Sequence, residues 1–144
     1  MTPEELKALE RRFFDEMLNR ADLSAGDDLF AANSVDYAGF PGQLPGREGF
    51  KQAVVMMHEA FPDIHYTIED MVAEGDRIAT RWTLRGTHQG EFFGVPATAN
   101  QIRVEGIHIL RIVDGQVVEC WEVWDQLSML RQIGALPDVA GGAS

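Results

Sequence analysis

The chain of 144 residues is predicted to fold as a single α+β domain, in which a curved antiparallel sheet packs against amino-terminal helices. Two observations support this prediction. Apolar residues recur at helical spacing in the first part of the chain, and later segments are rich in β-branched and aromatic residues separated by turn signals. The length suits one continuous core and is too short for two domains.

Three helices are expected before the first strand. The first begins at Thr2, a hydroxyl cap followed by proline and two glutamates, and continues on an apolar stripe to about Arg20. A short second helix is expected over residues 24–32. The third is expected over residues 47–60, where its apolar face ends before Pro62, a residue that cannot continue a helix.

Four strands and a closing helix are expected after Pro62. The strands are predicted over residues 64–73, 77–88, 101–112 and 116–124. A final helix over residues 126–133 is closed by Gly134. The domain is therefore expected to span residues 1–136, and residues 137–144 should form a disordered tail because they hold too little apolar surface to pack.

Composition excludes several classes of partner. Twelve Lys and Arg against 23 Asp and Glu give a net charge of -11, which repels phosphate backbones and anionic lipids, so neither nucleic acid nor membrane is an expected partner. The first ten residues lack the features of an export signal, so a cytoplasmic location is expected. A single cysteine, Cys120, excludes a disulfide framework and a thiolate zinc site, and we expect neither metal nor cofactor.

The last two predicted strands carry a histidine and a glutamate among apolar residues. Because side chains alternate faces along a strand, His108 lies on an otherwise apolar row, and Glu122 is the only charge on its own row. Burial penalises the charged form of each group and can shift acid and base strength away from solution values. Residue types alone leave two other interpretations open, a satisfied core pair or a Glu122 that faces solvent.

The turn between these strands decides whether the two side chains share a face. A two-residue loop of Asp114 and Gly115 sets even-numbered residues opposite odd-numbered ones, and His108 and Glu122 then point apart. A three-residue loop that includes Val113 keeps even opposite even and brings His108 diagonal to Glu122. We expect the three-residue loop, because the other arrangement leaves Glu122 among apolar neighbours without a partner.

Four segments resemble the SnoaL-like polyketide cyclase or ester cyclase family, which belongs to the cone-shaped NTF2-like superfamily. They are FPDIHYTIEDMVAEGDRIATRWTLRGTH, GEFFGVPATANQI, IHILRIVDGQVVE and WDQLSMLRQIG, and the resemblance covers roughly residues 5–134. It implies ring closure by intramolecular aldol condensation without metal or organic cofactor. The family's acid/base carboxylate falls on Glu122, which replaces an aspartate, and its neighbouring histidine falls on His108.

The resulting hypothesis is a cofactor-free acid/base enzyme that acts on a small apolar carbonyl compound. Glu122 would serve as general acid/base, and His108 would hydrogen-bond to Glu122 or to the substrate oxygen. Asp125 matches a recurrent acid of the family but suits helix capping better, so it ranks second. A further polar position of the family falls on Tyr37 or Asp36. The residues expected to line the pocket are Tyr37, Trp82, Phe92, Phe93 and Trp124.

Other functions and an oligomer are compatible with the same fold. A non-catalytic binding protein for small molecules would use the same cavity, and isomerisation or epoxide hydrolysis would be another cofactor-free reaction. The apolar odd rows of the last two strands also suit a homodimer interface on the open face of the sheet. These rows contain Ile107, Ile109, Val117, Trp121 and Val123.

Overall fold

The computed structural model describes residues 1–136, and the expected tail over residues 137–144 lies outside the described residues. The elements are α1 (Pro3–Arg12), which continues as a π-helical segment (Phe13–Asn19), α2 (Ala25–Leu29), β1 (Phe30–Asp36), α3 (Arg47–Ala60), β2 (His65–Glu74), β3 (Arg77–Thr87), β4 (Gln101–Val113), β5 (Gln116–Trp124) and α4 (Gln126–Gln132). The predicted α+β fold is confirmed.

The amino-terminal helix forms as its sequence predicts. The Thr2 hydroxyl accepts a hydrogen bond from the Glu5 backbone N–H at 3.1 Å, and this capping contact satisfies one of the free donors at the helix start. The apolar stripe, which includes Leu6, Phe13 and Met17, is buried against the sheet. None of the helices within residues 1–136 has the length and apolarity that crossing a membrane requires.

The sheet has five strands in the order β1-β5-β4-β3-β2 and is curved and unclosed. Neighbouring strands are antiparallel except β1 and β5, which pair in parallel. β4 alternates between exposed and buried residues along most of its length, so one face packs against the helices and the other faces outward. Four strands lie close to their predicted bounds.

Strand β1 is the element that the sequence interpretation missed. The predicted second helix extends to residue 32, whereas α2 ends at Leu29 and the chain continues as β1. Only Phe30 and Ser34 of β1 are buried, and its register with β5 shifts between Phe30 and Val35. A strand with two buried residues and an irregular register has no period of two in its sequence, so periodicity could not reveal it.

The turn between β4 and β5 also differs from the prediction. Val113 pairs with Gln116, so the loop has two residues rather than three. Both loop residues have positive φ, +52° at Asp114 and +76° at Gly115, as a tight turn matching the twist of the strands requires. The expectation of a three-residue loop was therefore wrong.

A β-bulge at Val118 reverses the effect of the short turn. Before the bulge, Ile112 pairs with Val117; after it, Arg111 pairs with Glu119, and Val118 is the extra residue on β5. Even-numbered residues oppose even-numbered ones from there onward. The bulge also turns Val117 inward, where it is fully buried, so Val117 does not belong to the outer face for which it was predicted.

Candidate active site

A cavity of about 100 Å³ lies between the inner face of the sheet and the helices. Aromatic and aliphatic side chains from α3, the π-helical segment and the sheet form most of its wall. Such an apolar cavity with a few convergent polar groups is typical of a small-molecule site. Its lining side chains that carry oxygen or nitrogen are Asp36, Gln43, Tyr66, Trp82, His108, Glu122 and Trp124.

His108 and Glu122 meet in this cavity from adjacent strands. The bulge makes them direct cross-strand partners, and Nδ1 of His108 lies 3.4 Å from a carboxylate oxygen of Glu122. His108 is 3% exposed, whereas the Glu122 side chain is 27% exposed. The buried imidazole of His108 therefore contacts the carboxylate of Glu122, which a ligand in the cavity can reach.

A second carboxylate, which the sequence interpretation missed, binds the other side of His108. Nε2 of His108 lies 2.8 Å from Oε1 of Glu10, and Glu10 is fully buried on α1. Oε2 of Glu10 has no hydrogen-bond partner among residues 1–136. One signal was available in the sequence: Glu10 interrupts the apolar stripe, four residues after Leu6 and three before Phe13.

These contacts determine the charge on His108. Burial lowers the pKa of His108, but the charge and hydrogen bond of Glu10, together with Glu122, outweigh burial and raise this pKa to about 10. His108 is therefore an imidazolium at neutral pH, with each ring N–H directed at a carboxylate. Of the two roles predicted for His108, the structure favours hydrogen bonding to Glu122 over hydrogen bonding to a substrate oxygen.

Asp36 contributes another carboxylate to the same cavity. Its oxygens accept hydrogen bonds from the Gln43 amide and the Ala38 backbone N–H, each at 3.0 Å. Burial raises the pKa of Asp36, the charge of Glu122 adds to the rise, and the two hydrogen bonds oppose it. The parallel pairing of β1 with β5 places Asp36 beside Cys120 and so brings it to the cavity.

Trp82 and Trp124 line the cavity, as predicted. Gly106 on β4 pairs with both tryptophans. A Cβ at this position would lie 2.3 Å from a ring carbon of Trp82 and 2.7 Å from Cβ of Trp124. The glycine thus provides the space in which the Trp82 indole lies. The part of the two tryptophans in substrate binding stays a prediction.

Tyr37 does not reach the cavity. It is 57% exposed and stacks on Trp121 at a centroid distance of 5.3 Å. Its hydroxyl donates to Glu119 at 2.7 Å. Tyr37 follows the last residue of β1 and turns toward the outer face of the sheet, which leaves Asp36 as the residue in the cavity.

Besides Tyr37, two more of the predicted pocket residues and the second-ranked acid lie outside the cavity lining. Phe92 is buried against Phe61 at 5.5 Å and so belongs to the core. Phe93 is exposed and packs against Phe40 of the cavity wall, at a centroid distance of 5.2 Å. Asp125 accepts a hydrogen bond from the Ser128 backbone N–H at 3.0 Å and caps α4.

The arrangement suits proton transfer from carbon. A carboxylate with a buried cationic partner faces an apolar space, where a weakly acidic C–H group could bind next to it. Across the part of the chain that the structure describes, no three histidine, cysteine, aspartate or glutamate side chains are grouped in a way that could hold a metal ion.

Comparison with known proteins identifies a family and several relatives that are similar to this chain. The SnoaL-like polyketide cyclase family matches residues 8–133. The aklanonic acid methyl ester cyclase DnrD of Streptomyces peucetius is 33% identical over 93 residues, which are 64% of this chain and 64% of that protein. The nogalonic acid methyl ester cyclase of Streptomyces nogalater is 30% identical over 90 residues, 62% of this chain and 67% of that protein.

A solved structure extends the comparison over nearly the whole chain. TsrD from Streptomyces laurentii is 28% identical and superimposes with a TM-score of 0.87, covering 94% of this chain and 99% of that one. The sequence match to DnrD spans less than two thirds of the length of that protein. The family match covers most of the sequence and confirms the resemblance, so this chain belongs to the SnoaL-like polyketide cyclase family.

Proposed function

We propose that this protein is a cofactor-free polyketide cyclase, which closes a ring by intramolecular aldol condensation of a small apolar carbonyl compound. The observation that carries the proposal is the carboxylate of Glu122 in an apolar cavity. This carboxylate pairs with the imidazolium of His108, whose other ring nitrogen is bound by Glu10. The names of two relatives, both methyl ester cyclases, support the same reaction class. A cytoplasmic location remains part of the proposal on the sequence evidence alone.

Glu122 would move a proton from carbon to oxygen. Its carboxylate takes a proton from the carbon next to one carbonyl group, and the resulting enolate attacks a second carbonyl carbon of the same molecule. One carbon–carbon bond forms, and the oxygen of the attacked carbonyl receives the proton from Glu122. Substrate and product are isomers, so the step balances without an oxidant, a reductant or a co-substrate.

His108 would hold Glu122 rather than carry the proton. Both of its N–H groups are directed at carboxylates, and its pKa of about 10 keeps it charged at neutral pH. The imidazolium fixes the direction of the Glu122 carboxylate, and positioning of that kind accounts for a large part of enzymatic rate enhancement. This role is also compatible with Glu122 at a position where the family has an aspartate, because the contact with His108 restrains the longer side chain.

The size of the cavity limits what it encloses. An engineered cavity of about 150 Å³ accommodates benzene, and the cavity here measures about 100 Å³. Because this cavity is smaller, we expect it to enclose only the reacting end of a substrate, at most one ring or its open-chain equivalent. The remainder of a larger polyketide would extend past Phe40 and Trp124, which are partly exposed and lie 6.3 Å apart between ring centroids.

The test is turnover of aklanonic acid methyl ester and of nogalonic acid methyl ester by the purified protein. Liquid chromatography with mass spectrometry should show a product of unchanged mass and altered retention. Glu122→Gln should abolish this product, whereas Glu119→Gln, a change on the same strand but on its outer face, should leave it. Undiminished turnover in Glu122→Gln would remove this residue from the mechanism. Bound but unchanged ester in the wild-type protein would favour the binding-protein alternative.

We also propose a homodimer that uses the outer face of the sheet. Val123, Ile107 and Ile109 are 80%, 51% and 38% exposed on this face, and Trp121 lies beside them on β5. Exposed apolar side chains grouped in this way are typical of an interface. Light scattering should give the mass of a dimer for the wild-type protein and of a monomer for Val123→Asp. A monomeric wild-type protein would contradict this part of the proposal.

A further inference from the structure

The proposed aldol reaction would be helped by a hydrogen-bond donor to the substrate oxygen, a role that neither Glu122 nor His108 fills. Negative charge develops on a substrate oxygen, first in the enolate and then in the alkoxide, and a positioned donor is needed to stabilise it. His108 cannot serve, because its two N–H groups already point at Glu10 and Glu122. Another side chain of the cavity wall is therefore the expected source of the donor.

Tyr66 is placed and held as such a donor would be. It lies on β2 and lines the cavity. Its backbone N–H and C=O are both bound by the side chain of Asn19, at 2.7 and 3.0 Å. Its ring packs edge-on against Phe14 and Trp82, with centroid distances of 6.2 and 5.6 Å. The hydroxyl group is thus carried on a side chain whose position is fixed on several sides.

The Tyr66 hydroxyl is also available. Within residues 1–136 it makes no hydrogen bond, although the backbone of the same residue makes two through Asn19. Burial, together with the charge of Glu122, raises the pKa of Tyr66 well above its usual range, so the hydroxyl keeps its proton at neutral pH. A neutral phenol in an apolar cavity gains the most by donating to a charged oxygen.

Three other polar groups of the wall are less suitable. The Gln43 amide already donates to Asp36 at 3.0 Å. The indole N–H of Trp82 has no partner, but protein atoms cover its nitrogen. Burial raises the pKa of Asp36, but each of its two oxygens already accepts a hydrogen bond from the protein, so neither is free to donate to a substrate.

We propose that Tyr66 is a catalytic residue whose hydroxyl donates a hydrogen bond to the substrate oxygen on which negative charge develops. The proposal rests on the proposed function for its catalytic consequence. Tyr66 keeps its proton throughout, while Glu122 transfers the proton that leaves carbon. The site therefore takes ligands that combine an apolar ring with a carbonyl, enolate or phenolate oxygen.

Phenols test this donor without knowledge of the natural substrate, because a phenolate oxygen resembles an enolate oxygen. Dissociation constants of 4-nitrophenol and of less acidic substituted phenols would be measured by calorimetry. Tyr66→Phe should weaken 4-nitrophenol binding about 10- to 100-fold, as loss of a hydrogen bond to a charged group predicts. Tyr37→Phe is a matched control, since the chain has two tyrosines and Tyr37 lies on the outer face.

Turnover gives the second measurement. Tyr66→Phe should lower kcat about 100-fold, the usual effect of removing one such donor, with a much smaller change in KM. Far-ultraviolet circular dichroism would verify that Tyr66→Phe folds. The phenylalanine ring should keep the packing of the Tyr66 ring against Phe14 and Trp82. If Tyr66→Phe keeps wild-type phenol affinity and kcat while Glu122→Gln is inactive, the inference is overturned and the proposed function stands.

Two further results separate the two proposals. If Asp36→Asn, and not Tyr66→Phe, removes the preference for acidic phenols, then Asp36 is the donor and the inference about Tyr66 is wrong. If Tyr66→Phe weakens phenol binding but the wild-type protein converts no ester, the oxygen site at Tyr66 is supported and the proposed cyclase function fails.

Discussion

Raising the pH above neutrality is expected to destabilise this protein through the buried imidazole of His108. The ordinary pKa of histidine, 6.5, is raised to about 10 in the folded protein. Because the folded state binds the proton more tightly than the unfolded state, the stabilisation is fully present below pH 6.5. It declines above that pH and is lost as the pH rises through 10.

The magnitude follows from the size of this rise. Each pH unit between 6.5 and 10 should remove about 1.4 kcal/mol from the free energy of unfolding. Over the whole interval the loss is on the order of 5 kcal/mol, which is a large share of the about 5–15 kcal/mol that stabilises an ordinary domain.

Glu10→Gln should change this dependence. Glu10 is the stronger of the two carboxylates that raise the pKa of His108, and without it burial should return that pKa to a value near or below the ordinary one. Urea unfolding near pH 6 should show a loss of about 3–5 kcal/mol, the cost of breaking a buried ion pair. The difference from wild type should then shrink as the pH rises to 9.

Glu5→Gln, an exposed change on the same helix, is the control and should follow the wild-type curve. Nitrogen chemical shifts of the four histidines would assign the titration directly. The reasoning is refuted if the gap in unfolding free energy between wild type and Glu10→Gln stays constant from pH 6 to 9, or if the His108 ring loses its proton near pH 6.5 in the wild-type protein.

Three substitutions test other parts of the structure. Gly106→Ala should destabilise the protein by about 1–3 kcal/mol and shift its tryptophan fluorescence, because the added methyl group overlaps the Trp82 ring. Phe92→Ala should lower the free energy of unfolding by about 3–5 kcal/mol and leave phenol affinity unchanged, since Phe92 lies in the core beside the cavity. Asp125→Ala should cost about 1 kcal/mol through loss of the α4 cap. It should also keep its turnover, whereas a loss equal to that of Glu122→Gln would place Asp125 in the chemistry.

Elements with a regular pattern of burial could be predicted from the sequence. α3 has the predicted bounds, and the alternation along β4 placed His108 on the inner face. β1 could not be predicted, because its pairing with β5 depends on backbone hydrogen bonds and leaves little trace in its side chains. Periodicity reports which side chains are buried, and an irregular edge strand buries few of them.

The site was predicted in part. The pairing of His108 with Glu122 was expected, although through a turn that does not form. The sequence Val117-Val118 conceals the bulge, because two adjacent valines fit either face of a strand equally well. Glu10 lies 98 residues from His108 in the chain, and helical periodicity does not specify which row of the sheet a helix face will contact. Contacts of that range depend on tertiary packing.

The single additional residue at Val118 compensates for the even-to-odd pairing that the two-residue turn imposes. If β5 paired with β4 in continuous register from that turn, Val118 would lie opposite Arg111 and Trp121 opposite His108, and the carboxylate of Glu122 would face outward. Removing Val118 should instead leave His108 opposite Glu122, because each later residue of β5 keeps its present partner on β4. A one-codon deletion at the bulge would therefore spare the acid, whereas a one-codon deletion between the bulge and Glu122 would move Val123 into its place.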